Sequence, residues 1–175
     1  MNDMLDRKWH LAETEDDIKI TEFELLLWRV FYGFLRWQED CESCVNESDL
    51  TGNDLAILHI IRIRDRHKTL YEIGRLLNRE DHYNIQYSLR KLEKLGFIRK
   101  AKLNNNKKTV TYEITEKGIK DTDAYTAARR AILLEMFKKE KGLKLEETTE
   151  TLSKIKVIYD EAGRMAASYK SAREK

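Results

Sequence analysis

From residue 21 onward, Phe23, Leu26, Leu27, Val30, Phe31, Phe34, Leu35 and Trp37 recur every three or four positions, with Trp28 and Tyr32 widening the stripe. This spacing predicts an amphipathic helix running to about Cys44. The residues before it are acidic and aperiodic and read as an arm, with Trp9 and Leu11 as its anchors. Thr51 or Asn53 can cap a second helix in which Leu55, Ile57, Leu58 and Ile61 face inward, ending near residues 64–67.

Residues 69–98, TLYEIGRLLNREDHYNIQYSLRKLEKLGFI, read as two short helices joined by a polar turn. Thr69 and Glu72 have the spacing of a capping box, and the first of these helices runs to about Leu77. Asn78, Arg79 and Glu80 break the apolar pattern, and Asp81 is placed to cap the next helix. There Ile85, Leu89 and Leu92 share one face and Gly96 ends the run. The pair reads as a helix-turn-helix.

The opposite face of the second helix carries Tyr83, Asn84, Gln86, Tyr87 and Arg90, with His82 beside them at the helix start. Amide, phenol and guanidinium groups can meet base edges and phosphates in a DNA major groove. An ordinary solvated helix face would look the same if this helix stood alone.

After Gly96 the period changes from helical to alternating. Phe97, Ile98 and Arg99 begin one strand, and Val110, Tyr112 and Ile114 alternate with Thr109, Thr111 and Glu113 in a second. Between them KLNNNKK, residues 102–108, supplies a turn with lysines at its tip. A basic hairpin directly after a recognition helix is a wing, and Lys100, Lys102, Lys107 and Lys108 are placed to hold phosphate. A lysine-rich tip also occurs as a plain solvated loop.

Thr115, Glu116, Lys117 and Gly118 open a helical region predicted to run to about Lys141 through Tyr125, Ala128, Ile132, Leu133, Met136 and Phe137, with Gly142 as its stop. In residues 144–173, Leu152, Ile155, Ile158, Tyr159, Ala162, Met165, Ala166 and Tyr169 recur at near-heptad spacing. The predicted fold class is mainly α with a small β-hairpin wing (α+β). The expected organisation is an arm (1–20), an N-terminal dimerisation helix (21–48), a winged helix-turn-helix domain (49–118) and C-terminal dimerisation helices (119–175). The apolar face of the first helix is broader than one small winged domain can cover, which points to a partner helix from a second subunit. Burial within its own chain would give the same stripe.

Charge sharpens this picture. The net charge is only +2, yet residues 62–108 hold fourteen Lys or Arg against five Asp or Glu. The surplus coincides with the helix-turn-helix, and an anionic polymer is its natural partner. Arg62, Arg64 and Arg66 sit where the second helix ends and could neutralise backbone phosphates. A charged fraction of 37% with no proline suits a chain built of long helices.

In order and in motif this chain resembles the MarR family of winged-helix transcription regulators over residues 50–120. The residues that carry the likeness are TGNDLAILHII, LYEIGRLL, YNIQYSLRKLEKLGFIRK and VTYEITEKG. The last, with Thr115-Glu116-Lys117-Gly118, resembles the family's LTEKG junction, and LEKLGFI resembles its LEEKGLV. The resemblance implies a homodimer with intertwined terminal helices, its two recognition helices entering successive major grooves of a pseudo-palindromic double-stranded DNA site. It also implies a small aromatic effector held between the dimer helices and the DNA-binding domain, where Trp28, Phe31, Tyr32 and Trp37 could line a pocket. At the wing tip the family usually has Asp-x-Arg, whereas this chain has Asn106-Lys107-Lys108.

Cys41 and Cys44 are the only cysteines. At i and i+3 on a helix they could form a local redox pair, or two zinc ligands completed by a second subunit, or be inert. The surrounding Glu39, Asp40, Glu42 and Glu47 do not favour a reactive thiolate. His59 and His67 lack metal-ligand spacing, and no cofactor or metal is expected. No catalytic constellation is visible either, so a non-enzyme is expected. No segment is apolar enough to span a membrane and no signal-peptide run opens the chain, which makes a cytoplasmic protein the expectation. Two rival functions fit the same pattern: a winged-helix module that binds another protein, and an architectural DNA binder without sequence preference.

Overall fold

Among the described residues, four helices start on a threonine. The structure, a computed structural model, describes residues 10–102 and 109–173. Thr14, Thr51 and Thr69 each form a reciprocal capping box, with Asp17, Asp54 and Glu72 respectively, and so open α1 (Glu15–Ser43), α2 (Gly52–Arg62) and α3 (Leu70–Leu77). Thr115 opens α5 (Glu116–Arg129), its hydroxyl accepting from the Gly118 amide at 3.1 Å. Between α3 and α5 lie α4 (His82–Lys94) and a hairpin of β1 (Ile98–Lys102) and β2 (Val110–Ile114).

α1 begins at Glu15 rather than residue 21. The cause is the Thr14–Asp17 box and an acidic first turn of Glu15, Asp16 and Asp17 on the positive end of the helix dipole. Capping extends the helix into residues that have no apolar stripe to reveal it.

The core of the winged domain comes from Leu55, Ile57, Leu58 and Ile61 of α2, Ile73 of α3, Ile85, Leu89 and Leu92 of α4, and Phe97, Ile98 and Tyr112 of the hairpin. Fully burying such a side chain contributes about 1.5–3 kcal/mol. The strands are antiparallel with Ile98 opposite Ile114 and Lys102 opposite Val110. A single bridge adds Lys68 to the hairpin, its amide donating to the Tyr112 carbonyl at 3.0 Å and its carbonyl accepting from the Tyr112 amide at 2.8 Å.

Lys68 is a departure from the charge pattern. Counted with the basic surplus, it is fully buried, and its ammonium donates to the carbonyls of Ile61 (2.8 Å), Ile63 and Arg66 (3.1 Å). These carbonyls belong to the end of α2 and the turn after it, where helix geometry leaves acceptors without partners. The lysine holds that exit, in which Arg64 takes a left-handed conformation, φ 66°.

Gly118 fixes the junction between the hairpin and α5. A Cβ there would stand 2.3 Å from the Phe97 carbonyl oxygen, so no other residue lets the helix approach so closely. Thr115 reinforces it by donating its hydroxyl to the Gly96 carbonyl at 2.7 Å.

The single helix expected as far as Lys141 is interrupted. After α5 come a π-helical turn (Arg130–Leu134) and the short α6 (Glu135–Lys139), and Gly142 stops the run at φ +101°. A π turn inserts an extra residue, which a reading at 3.6-residue period passes over. Residues up to Ala131 form one compact unit and residues from Ile132 another. The second unit contains α7 (Leu145–Arg173), in close agreement with the predicted 144–173. Within the chain, α7 leaves Leu152, Ile158, Met165 and Tyr169 exposed. In the first unit, α1 likewise leaves Leu26, Trp28, Val30, Phe31, Tyr32 and Phe34 at least half exposed. No helix among the described residues is long and apolar enough to cross a membrane.

Candidate nucleic-acid interface

The approach of α3 to α4 is set by Gly74. A Cβ at that position would meet the Arg79 carbonyl oxygen at 2.8 Å and Ile85 Cδ1 at 3.3 Å. Asn78 turns the chain in the left-handed conformation, φ 54°, and the Arg79 amide donates back to the Gly74 carbonyl at 2.8 Å. Asparagine tolerates this backbone better than most residues.

Asp81 does not cap α4 with its side chain, contrary to expectation. Its carboxylate is already taken: Arg79 Nε donates to Oδ1 at 2.8 Å, and both Arg79 Nη2 and Asn84 Nδ2 donate to Oδ2. The Arg79 fork holds the Asp81 carboxyl well below the usual carboxylate range. An Arg79–Asp81–Asn84 lock therefore orients the first turn of the recognition helix.

α4 is divided as its sequence predicts. Ile85, Ser88, Leu89 and Leu92 are buried, while Tyr83, Asn84, Gln86, Tyr87 and Arg90 are exposed. Tyr83 is 80% exposed. His82 packs edge-on against Tyr71 of α3, ring centroids 4.8 Å apart. Tyr71 is itself 73% exposed and joins this face, a contribution the reading of the sequence missed. Its signal was its position between Leu70 and Ile73, which turn inward.

α4 is also tied to α2. Lys91 donates to the Asp54 carboxylate at 2.7 Å and to the Asp49 carbonyl. Burial pushes the Asp54 carboxyl up, but hydrogen bonds from Lys91, Ser88 and Thr51 outweigh it and hold the group below its ordinary value.

The proposed phosphate contacts separate into three groups. Arg62 is engaged internally: it donates to the Ile119 carbonyl at 3.2 Å, to the Thr122 hydroxyl and to Asp123, joining α2 to α5. These three acceptors give the guanidinium a positioning role within the domain, and it would have to leave them to meet a phosphate. Arg64 is exposed at the turn after α2, and Lys100 is exposed in β1, paired with Glu93 at 2.8 Å. A solvent-exposed pair of this kind contributes little and exchanges readily. Lys102 opposes Val110 in the ladder, while Lys107 and Lys108 lie outside the described residues.

Cys41 is fully buried, its thiol facing the Tyr125 carbonyl at 3.9 Å, whereas Cys44 is exposed. Burial pushes the Cys41 thiol up, and Cys44 and Glu42 add to the effect, which favours the inert thiol over a redox pair. His59 is half-buried with its ring against Tyr125, and its pKa is lowered to about 4, first by burial and then by Arg62 and Arg129. Among the described residues, no group of three or more His, Cys, Asp or Glu is placed to hold a metal. In the chain by itself Trp28, Phe31 and Tyr32 of α1 are at least half exposed. An open cavity of about 500 Å³ lies elsewhere, bordered by the α1–α2 loop, the end of α4 and the start of α5.

Comparison with known proteins agrees with this geometry. Residues 50–118 match the family model of the winged helix DNA-binding domain. No curated protein matches the chain. Among solved structures, a cysteine-to-serine mutant of MarR from E. coli, complexed with operator DNA, superposes with a TM-score of 0.65 at 19% identity, covering 78% of this chain and 95% of that one. BldR from Sulfolobus solfataricus gives 0.63 at 20% identity over 81% and 96% of the two chains. Reduced AbfR bound to DNA gives 0.70 at 16% identity over 86% and 99%. The chain thus has the MarR-type winged helix-turn-helix fold, and its residues 50–118 are similar to the winged helix DNA-binding domain.

Proposed function

We propose that this chain is a sequence-specific transcriptional regulator of double-stranded DNA, acting as a homodimer on a pseudo-palindromic site and repressing by occlusion. The observation that carries this reading is the outward face of α4, where His82, Tyr83, Asn84, Gln86, Tyr87 and Arg90 present hydrogen-bonding groups over a fully buried apolar stripe. Asn84, Gln86, Tyr87 and Arg90 read base edges, while Arg64, Lys100, Lys102, Lys107 and Lys108 hold phosphates. The concentration of positive charge in residues 62–108 supports an anionic partner. Two of the superposed relatives, the MarR mutant and AbfR, are described as bound to DNA.

Support for the homodimer comes from α1 and α7, whose uncovered apolar residues form patches that a lone chain rarely exposes. Recognition helices paired by a two-fold axis call for half-sites about one helical turn apart.

The test is titration of the full chain with duplex DNA at 50 and 200 mM salt. Multiple phosphate contacts predict a loss of affinity on the order of 10³-fold between the two conditions. Absence of duplex binding at either salt overturns the assignment and favours a protein partner for the winged domain.

A further inference from the structure

Glu42 of α1 and Asp121 of α5 are both buried, 1% and 7% exposed, in the part of the winged unit where these two helices pack. Glu42 Oε2 and Asp121 Oδ2 are sealed from water without a hydrogen-bond partner. Ionised carboxylates only accept, so two of them side by side cannot satisfy one another. One proton changes this, because the protonated acid becomes a donor and both orphaned oxygens are paired at once.

The surroundings decide where that proton sits. Glu42 Oε1 accepts from Asn46 Nδ2 at 3.2 Å and from the Ser48 hydroxyl at 2.6 Å, which places Glu42 as the accepting partner of the pair. Asp121 is then the donor.

We propose that Glu42 and Asp121 form a proton-binding latch, in which one shared proton closes the seam between α1 and α5 and its release loosens that seam.

The Asp121 carboxyl is pushed up to about 6, first by burial and then by the charge and hydrogen bond of Glu42. Lys117 of α5 acts in the opposite direction, but its ammonium is held by the Leu95 carbonyl at 2.6 Å and lies over the Phe97 ring. On the side of the open cavity stand Glu47 and Asp49 from the α1–α2 loop and Lys91 and Lys94 from α4, and Glu116 and Lys120 from α5 border a second open cavity that shares Asn46, Lys117 and Asp121 with it. Lys91 is committed to Asp54. Along the seam itself, Cys41 of α1 meets Tyr125 of α5, with Arg129 of α5 acting on both. None of these supplies a donor to either orphaned oxygen. A metal ion in place of the proton would want more ligands than two carboxylates, and no third acid, His or Cys completes the set among the described residues.

The sign follows from the direction of the shift. A carboxyl raised from 3.8 to about 6 in the folded chain stabilises it fully below pH 4 and loses that contribution as pH rises through about 6. The latch is therefore closed in mild acid and open at neutral pH. It joins the helix that carries the uncovered apolar face to the helix that follows directly from β2.

The experiment is a carboxyl-carbon NMR titration of the full chain, with melting temperature followed from about pH 5 to 8, on the wild type, D121N and E42Q. The wild type is expected to show a carboxyl with a midpoint near 6 and a melting temperature that falls across this range. In D121N that resonance disappears, and the asparagine amide supplies the bond at every pH, so the melting temperature falls less steeply. In E42Q the Asp121 midpoint moves down toward the ordinary range. The proposal is overturned if no carboxyl titrates above about pH 5, if D121N melts with the wild-type pH slope, or if the midpoint stays near 6 in E42Q, which would leave burial alone as its cause. If D121N does not fold, the E42Q titration decides.

Discussion

Lys91 of the recognition helix donates to the buried carboxylate of Asp54, 2.7 Å away in the first turn of α2. The same carboxylate closes the capping box with Thr51, so one acid both starts α2 and anchors α4. Lys91→Met should cost about 2–3 kcal/mol in denaturant unfolding, because it leaves a buried charge without its cation. The pH dependence has a definite sign. A carboxyl held below 3.8 contributes stability above that value and loses it as pH falls further. The wild type should therefore lose part of its stability below about pH 4, and Lys91→Met should show a smaller loss there.

Gly74→Ala should destabilise the winged domain by roughly 1–3 kcal/mol or more, since the new methyl meets the backbone oxygen of Arg79 rather than a flexible side chain. Circular dichroism during denaturant unfolding reads this directly. A neutral effect would mean that the α3–α4 turn relaxes freely.

Lys68→Met separates charge from structure. If the lysine served DNA, the substitution would weaken binding and spare stability. Its three carbonyl acceptors predict the reverse, a loss of at least about 2 kcal/mol of stability from stranded acceptors at the end of α2. The residual folded protein should keep its preference for specific over random duplex.

Arg90→Ala and Lys107→Ala should differ in kind. A bidentate base contact by Arg90 predicts a loss of roughly 1–3 kcal/mol on the preferred site with relaxed specificity at one base pair. Lys107→Ala should weaken all sequences alike and reduce the salt slope by about one. Equal losses on preferred and random duplex for both variants would remove the distinction between reading and holding.

Much of the fold was legible because it was written locally. The Thr69–Glu72 box, the Ile85–Leu89–Leu92 stripe and the alternation of Val110, Tyr112 and Ile114 each specify an element within a few residues. What escaped the reading depends on partners distant in sequence or on features without a period. Thr14 extends α1 through a cap rather than a stripe, and the π turn at residues 130–134 leaves no mark in a helical pattern.

The candidate site was legible in the same measure. Exposure of Tyr83, Gln86, Tyr87 and Arg90 follows from helical geometry alone. The fate of a charge does not. Arg62 and Lys68 look like their neighbours in sequence, yet one is tied to Thr122 and Asp123 and the other is buried among carbonyls. Asp81 reads as a cap, but Arg79, two residues before it, claims its carboxylate. Composition counts charges, and only packing decides which of them face out.

The most direct test of the proposed regulator is selection of bound sequences from a random duplex pool by the full chain, repeated with Arg90→Ala. Enrichment of an inverted repeat with half-sites about one helical turn apart, blurred at one position in the variant, is the expected result. Recovery of duplexes without any shared sequence, alike for both proteins, would contradict it and leave a DNA binder that does not read bases.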